Sequence, residues 1–211
     1  MDSESRSKAT RLQDPEYAAK VVKNIAQIEA DFFHAASHLS EQMMNEALLA
    51  IEKVVVAPWE IVENEWGTKL VISDWKMQRG VGYDAWLEVS ELSSDEDGHE
   101  HTWIAAVTKT VPSQLCVQLM FRPGLQDHAQ AIMKDMKAIG AVLEKGFVRD
   151  DANLVLFVPI HIPVALLEKG FSLRDLTPTV QPFAKAVQTA IAAKPALDTL
   201  LEQIRAAAKV K

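Results

Sequence analysis

Residues 83–90 read YDAWLEVS, and the reading of this stretch decides the fold. Tyr83, Ala85, Leu87 and Val89 fall on one side of an extended chain, and Asp84, Trp86, Glu88 and Ser90 on the other. Successive side chains leave a pleated backbone on opposite sides, so strict alternation marks a β-strand with two unlike faces. One face here is apolar and suited to a core. The other carries acids and an indole.

Working outward, Gly80 and Gly82 mark a turn before this strand. Asp97-Gly98, inside the loop SSDEDGHEH, predicts a hairpin tip after it. Thr102–Lys109 and Gln114–Phe121 read as further strands, separated by Val111-Pro112. All five tryptophans, Trp59, Trp66, Trp75, Trp86 and Trp103, lie in this part of the chain. Residues 59–121 are therefore expected to supply four or five antiparallel strands.

Toward the N-terminus, Asp14-Pro15-Glu16 is a helix start. Asp14 can cap, Pro15 suits the first helical position, and Glu16 complements the dipole. Apolar residues then recur at Val21, Ile25, Ile28, Phe32, Ala35, Leu39 and Met43, at the period of a helical seam. No glycine or proline intervenes before Pro58, so a long helix, or two broken near Ser40, is expected over residues 15–53. Unbroken, it would run roughly 57 Å at about 1.5 Å per residue. That is longer than a compact domain needs, and the excess predicts packing against a second copy of the chain.

Beyond the strands, a helix is expected over Gln126–Lys145, closed by Gly146, and a buried strand over Leu154–Ile160. A short helix from Pro163 ends at Lys169-Gly170-Phe171. The pentapeptide LEKGF thus occurs at 143–147 and 167–171, which reads as one helix-stop chemistry used twice. Thr177-Pro178 opens another helix, and Pro195 separates it from a last one striped with Leu197, Leu200, Leu201 and Ile204. The fold class is α+β: a long N-terminal helix, a mostly antiparallel sheet, then a helix, a strand and helices packed on that sheet. Residues 1–13 read as a disordered tail and 14–211 as a single domain. Within it, 14–56 is helical, 57–124 strand-rich and acidic, and 125–211 helix-rich.

The net charge of −7 is concentrated in the middle of the chain. Residues 57–104 carry −8, against −3 before them and +4 after. Such a segment repels nucleic-acid phosphate and steers toward a basic protein surface. No apolar run approaches the roughly 18 residues of a membrane span. The polar N-terminus does not read as a secretory signal, and the lone Cys116 fits a reducing compartment, so a cytoplasmic protein is expected.

Several clusters carry candidate chemistry. Asp31, His34, His38 and Glu41 recur near one helical face at a spacing that suits a transition metal. Asp95, Asp97, His99 and His101 crowd one loop. Both clusters read more simply as solvated surface, and no cofactor is expected. Cys116 reads as an inert thiol. The order helix, acid-bearing strands, helix, strand, helix over residues 15–160 resembles the core of the PD-(D/E)XK nuclease superfamily. The resemblance places Asp74 and the Glu88-Val89-Ser90 triplet around magnesium, as the site of a metal-dependent hydrolase. Ser90 stands where that pattern has lysine, which leaves Lys76 or Lys109 to substitute. The leading expectation is an interaction module. It would present Trp75, Asp84, Trp86 and Glu88 on an open sheet face to a basic partner, with tryptophan supplying the contact area typical of interface hot spots.

Overall fold

A computed structural model describes residues 14–64, 67–77, 80–93 and 101–209. The described residues open with one continuous helical rod. It comprises α1 (Pro15–His34), a π-helical turn (Ala35–Leu39) and α2 (Ser40–Glu52). Asp14 caps the rod as the sequence predicts, its Oδ1 accepting from the Glu16 N–H at 2.9 Å. The rod does not break at Ser40, but the helix changes type just before it. The Ala35 carbonyl accepts both the backbone N–H and the hydroxyl of Ser40, the latter at 2.8 Å, which holds the wider turn open. Upstream of this turn no residue of α1 is buried. Downstream, Met43, Ala47, Ala50 and Ile51 of α2 enter the core.

Among the described residues six strands follow: β1 (Trp59–Asn64), β2 (Gly67–Ile72), β3 (Ala85–Leu92), β4 (Gln114–Phe121), β5 (Val148–Asp150) and β6 (Val155–Ile160). They form one sheet in the order β1-β2-β3-β4-β6-β5, with every neighbouring pair antiparallel. Pairing of Leu87 with Leu119, Val89 with Val117, Val117 with Val158 and Leu70 with Leu87 sets the register. These residues line an inner face with Leu115, Leu156 and Ile160, and all are buried. The remaining helices are α3 (Trp103–Val107), α4 (Pro123–Met133), α5 (Met136–Leu143), α6 (Val164–Leu173), α7 (Gln181–Ala192) and α8 (Lys194–Lys209). Helix α7 lies on β4 and β6, α2 packs on α7, and α8 packs on α4, α5 and α7. Their buried residues merge with the inner face into a single apolar cluster.

The fold class stands as read, and three local expectations are corrected. Thr102–Lys109 is not a strand: Thr102 caps α3, its Oγ1 accepting from the Ala105 N–H at 3.2 Å. Alanines at 105 and 106 favour the helix, and Ala106 and Val107 plug into the core. The expected helix over 126–145 is two, interrupted where Asp135 caps α5 by accepting from the Lys137 N–H at 2.9 Å. The two LEKGF copies also diverge. Gly146 follows α5 with φ of +97°, the left-handed stop that was expected. Gly170 lies inside α6, and the left-handed residue there is Arg174. Gly170 is required for contact instead. An added Cβ would sit 2.5 Å from Thr179 Oγ1 and 2.9 Å from Leu176 Cδ2.

Gly170→Ala is accordingly expected to destabilise the domain by roughly 1–3 kcal/mol, the usual range for forced overpacking. Chemical denaturation of the variant against the parent measures this.

Candidate functional site

The pleat of β3 sends Trp86, Glu88 and Ser90 to the side of the sheet opposite the core cluster. Register adds Lys69 and Val71 from β2, Cys116, Gln118 and Met120 from β4, Phe157 from β6 and Val148 from β5. Val71, Cys116 and Phe157 are buried yet stand outside the main core cluster, so this face has its own thin apolar layer. Trp86 and Glu88 are half-buried on it. The Trp86 indole Nε1–H donates to Glu88 Oε2 at 2.6 Å. Lys69 completes the group, its Nζ 5.0 Å from the Trp86 ring centroid and 3.9 Å from Glu88 Oε2. A cation over an indole beside a carboxylate is a favourable but solvent-screened arrangement, worth on the order of 1 kcal/mol.

The other two residues expected on this face are elsewhere. Trp75 is not on a strand. It sits in a 3-10 turn (Ser73–Trp75) and is 1% exposed. Its ring packs edge-on against Trp59, with centroids 5.1 Å apart, and its Nε1–H donates to Asp198 Oδ1 at 2.7 Å. Asp84 precedes β3 and is 4% exposed. Arg122 Nε donates to its Oδ1 at 2.6 Å and Arg205 Nε to its Oδ2 at 2.8 Å. Its backbone N–H donates to the Trp75 carbonyl, and its own carbonyl accepts from Arg122 N–H. Asp84 is thus a structural brace joining the approach to β3, the β4–α4 junction and α8. Trp66 lies outside the described residues.

The hydrolase residues are also dispersed. Asp74 lies past the end of β2 and pairs with Lys194 at 2.9 Å. Glu88 pairs across the ladder with Lys69, and the stretch from Lys69 to Ile72 already covers about 10 Å at strand rise. Lys76 Nζ sits over the Tyr83 ring at 5.9 Å from its centroid. Each member therefore has a different partner.

On the N-terminal helix, Gln27 donates to Asp31 at 2.7 Å, and the rings of His34 and His38 meet edge to face with centroids 5.3 Å apart. The π turn begins directly after His34 and changes the phase on which the spacing of Asp31, His34, His38 and Glu41 relied. Among the described residues, no three His, Cys, Asp or Glu side chains are grouped to hold a metal ion. Asp95, Asp97 and His99 lie outside the described residues. An open groove of about 760 Å³ runs between the rod and α6, where His34, Gln42, Glu46, Phe171 and Arg174 line it.

One half-buried ion-paired lysine was not anticipated, whereas the thiol of Cys116 is inert as read. Lys194 bridges Asp74 and Asp198, tying the 3-10 turn to the start of α8. Its burial alone would lower its pKa, but the two carboxylates outweigh that and hold it above the ordinary lysine range. Cys116 is fully buried, its Sγ 3.6 Å from the Ser90 carbonyl, and burial pushes its pKa up to about 12.

The chain matches no known protein family, no curated protein and no solved structure. No helix among the described residues is long and apolar enough to cross a membrane.

Two outcomes follow from this geometry. Asp84→Ala strands two guanidiniums and is expected to cost about 3 kcal/mol, the low end for a broken buried pair because both arginines keep contact with water. Urea unfolding of the variant tests that figure. Cys116 should stay unmodified by a thiol reagent until the protein unfolds. The unfolded thiol ionises near 9.0 and the folded one near 12. Its contribution to stability is therefore complete below pH 9 and is lost as pH rises toward 12. Stability measured across that range, in the parent and in Cys116→Ala, should show a steeper fall for the parent.

Proposed function

We propose that the chain is a protein-interaction module and not an enzyme: a chaperone, an adaptor or an inhibitor that works in the cytoplasm. It presents the outward sheet face to a basic, partly apolar surface of another protein. The observation that carries this reading is the group of Trp86, Glu88 and Lys69 on the side of the sheet opposite the core cluster. Exposed Val62 and Val148 extend its apolar area toward both edges of the sheet. Among the described strand residues, Glu60, Glu88 and Asp150 share this face with the single base Lys69, so it attracts cations overall. An arginine or lysine from a partner would take the place of Lys69 over the indole and meet Glu88 beside it. Tryptophan suits such a contact because it offers a large rigid area at small entropic cost.

Trp86→Ala combined with Glu88→Lys tests the reading, since both side chains are half-buried and lie outside the core cluster. Tagged parent and double variant are compared for the proteins that co-purify, identified by mass spectrometry, with thermal unfolding as a control for folding. The expected result is loss of a stoichiometric partner with a basic surface, while the unfolding temperature drops only slightly. Equal capture by the two proteins would discard this face as the binding surface.

A further inference from the structure

Helix α1 presents a second surface, separate from the sheet face. It buries no residue of its own, and Tyr17, Val22, Ile25, Ile28, Phe32 and Phe33 are all exposed, between 45% and 72%. At about 1.5 Å per residue its 20 residues form an arm roughly 30 Å long. Scattered exposed apolar residues are ordinary, but these are not scattered. Val21, Ile25, Ile28 and Phe32 follow gaps of four, three and four, the seam spacing of paired helices.

Charge along the arm identifies the occupant and its direction. The first half carries Lys20 and Lys23 beside Glu16, and the second half carries Glu29 and Asp31 with no lysine or arginine. A parallel copy would set bases against bases and acids against acids. An antiparallel copy brings the basic half of each arm against the acidic half of the other. We infer that α1 pairs with α1 of a second copy in an antiparallel, two-fold symmetric arrangement centred between Ala26 and Gln27. About that centre, Ile25 faces the second copy's Ile28, and Val21 faces its Phe32. Large side chains therefore meet in every layer, and no charge is buried. A symmetric interface of this kind closes on itself and yields a dimer, not a filament. The seam spans about two heptads, so association is reversible and depends on concentration. This pairing leaves the sheet face of each copy free and does not depend on what that face binds.

Sedimentation of the purified full chain across a concentration series should show a monomer passing to a dimer. Added salt should weaken the dimer, because the matched charges are solvent-exposed. Ile25→Asp combined with Ile28→Asp should hold the protein monomeric, with the unfolding midpoint of the dilute, monomeric parent, since α1 buries no residue in the core. Orientation is read by oxidative cross-linking, with buried Cys116 as a silent background. Neither Val21→Cys nor Phe32→Cys alone should form a cross-linked dimer, whereas an equimolar mixture of the two should. A parent that stays monomeric up to roughly 100 μM overturns the inference. So does cross-linking of either single variant with itself, which would report a parallel pair. A monomeric parent that nonetheless captures a partner through the sheet face would reject this inference and leave the proposed function standing.

Discussion

The pleat of the sheet is the constraint from which the rest of the molecule follows. Side chains of β3 alternate between two sides, and the helical layer merges with only one of them into the core. Leu87 and Val89 must face that core, so Trp86 and Glu88 must face away from it. A slip of one residue in the pairing of Leu87 with Leu119 would exchange the two sets and place a carboxylate in the core. The outward position of Trp86 is thus a consequence of how the inner face is buried. Val71, Cys116 and Phe157 are buried on the outward side, beside the half-buried Trp86 and Glu88.

Two charge clusters, one around buried Asp84 and one partly exposed around Lys194, hold the sheet to its helices. Asp84 joins Arg122 and Arg205, while Lys194 joins Asp74 and Asp198. Asp84 and Asp74 come from the segment that makes the sequence so negative, and the bases come from the positive C-terminal part, which also supplies Asp198. The opposite charges of these two parts of the chain serve internal attachment, and the unpaired acidity is smaller than the −8 of residues 57–104 suggests.

How much of this was legible depended on sequence distance. The cap at Asp14, the stop at Gly146 and the alternation of β3 are local, and each appears in the structure where the residues place it. The destinations of Asp84 and Trp75 are not local. Arg122 and Arg205 lie 38 and 121 residues from Asp84, and Asp198 lies 123 residues from Trp75. Alternation alone groups Asp84 with Trp86, because it cannot register that the strand begins only at Ala85. Helix α3 was misread for a related reason: WIAAV suits a strand or a helix, and the capping hydroxyl of Thr102 decides between them. Gly170 shows the opposite limit, since an identical pentapeptide performs a different task when its neighbours are Thr179 and Leu176.

The π turn at Ala35–Leu39 has a geometric consequence of its own. Eighteen residues of uninterrupted α-helix make five full turns, which would align Ile25 with Met43 on a single stripe. Five residues wound at the wider pitch advance the helix by roughly a quarter turn less. The apolar side of the arm and the buried side of α2 therefore point in different directions around a common axis. The turn behaves as an angular offset written into the backbone. The segment that anchors the rod and the segment that reaches outward are clocked independently, and the arm's stripe is turned away from the surface on which its own base rests.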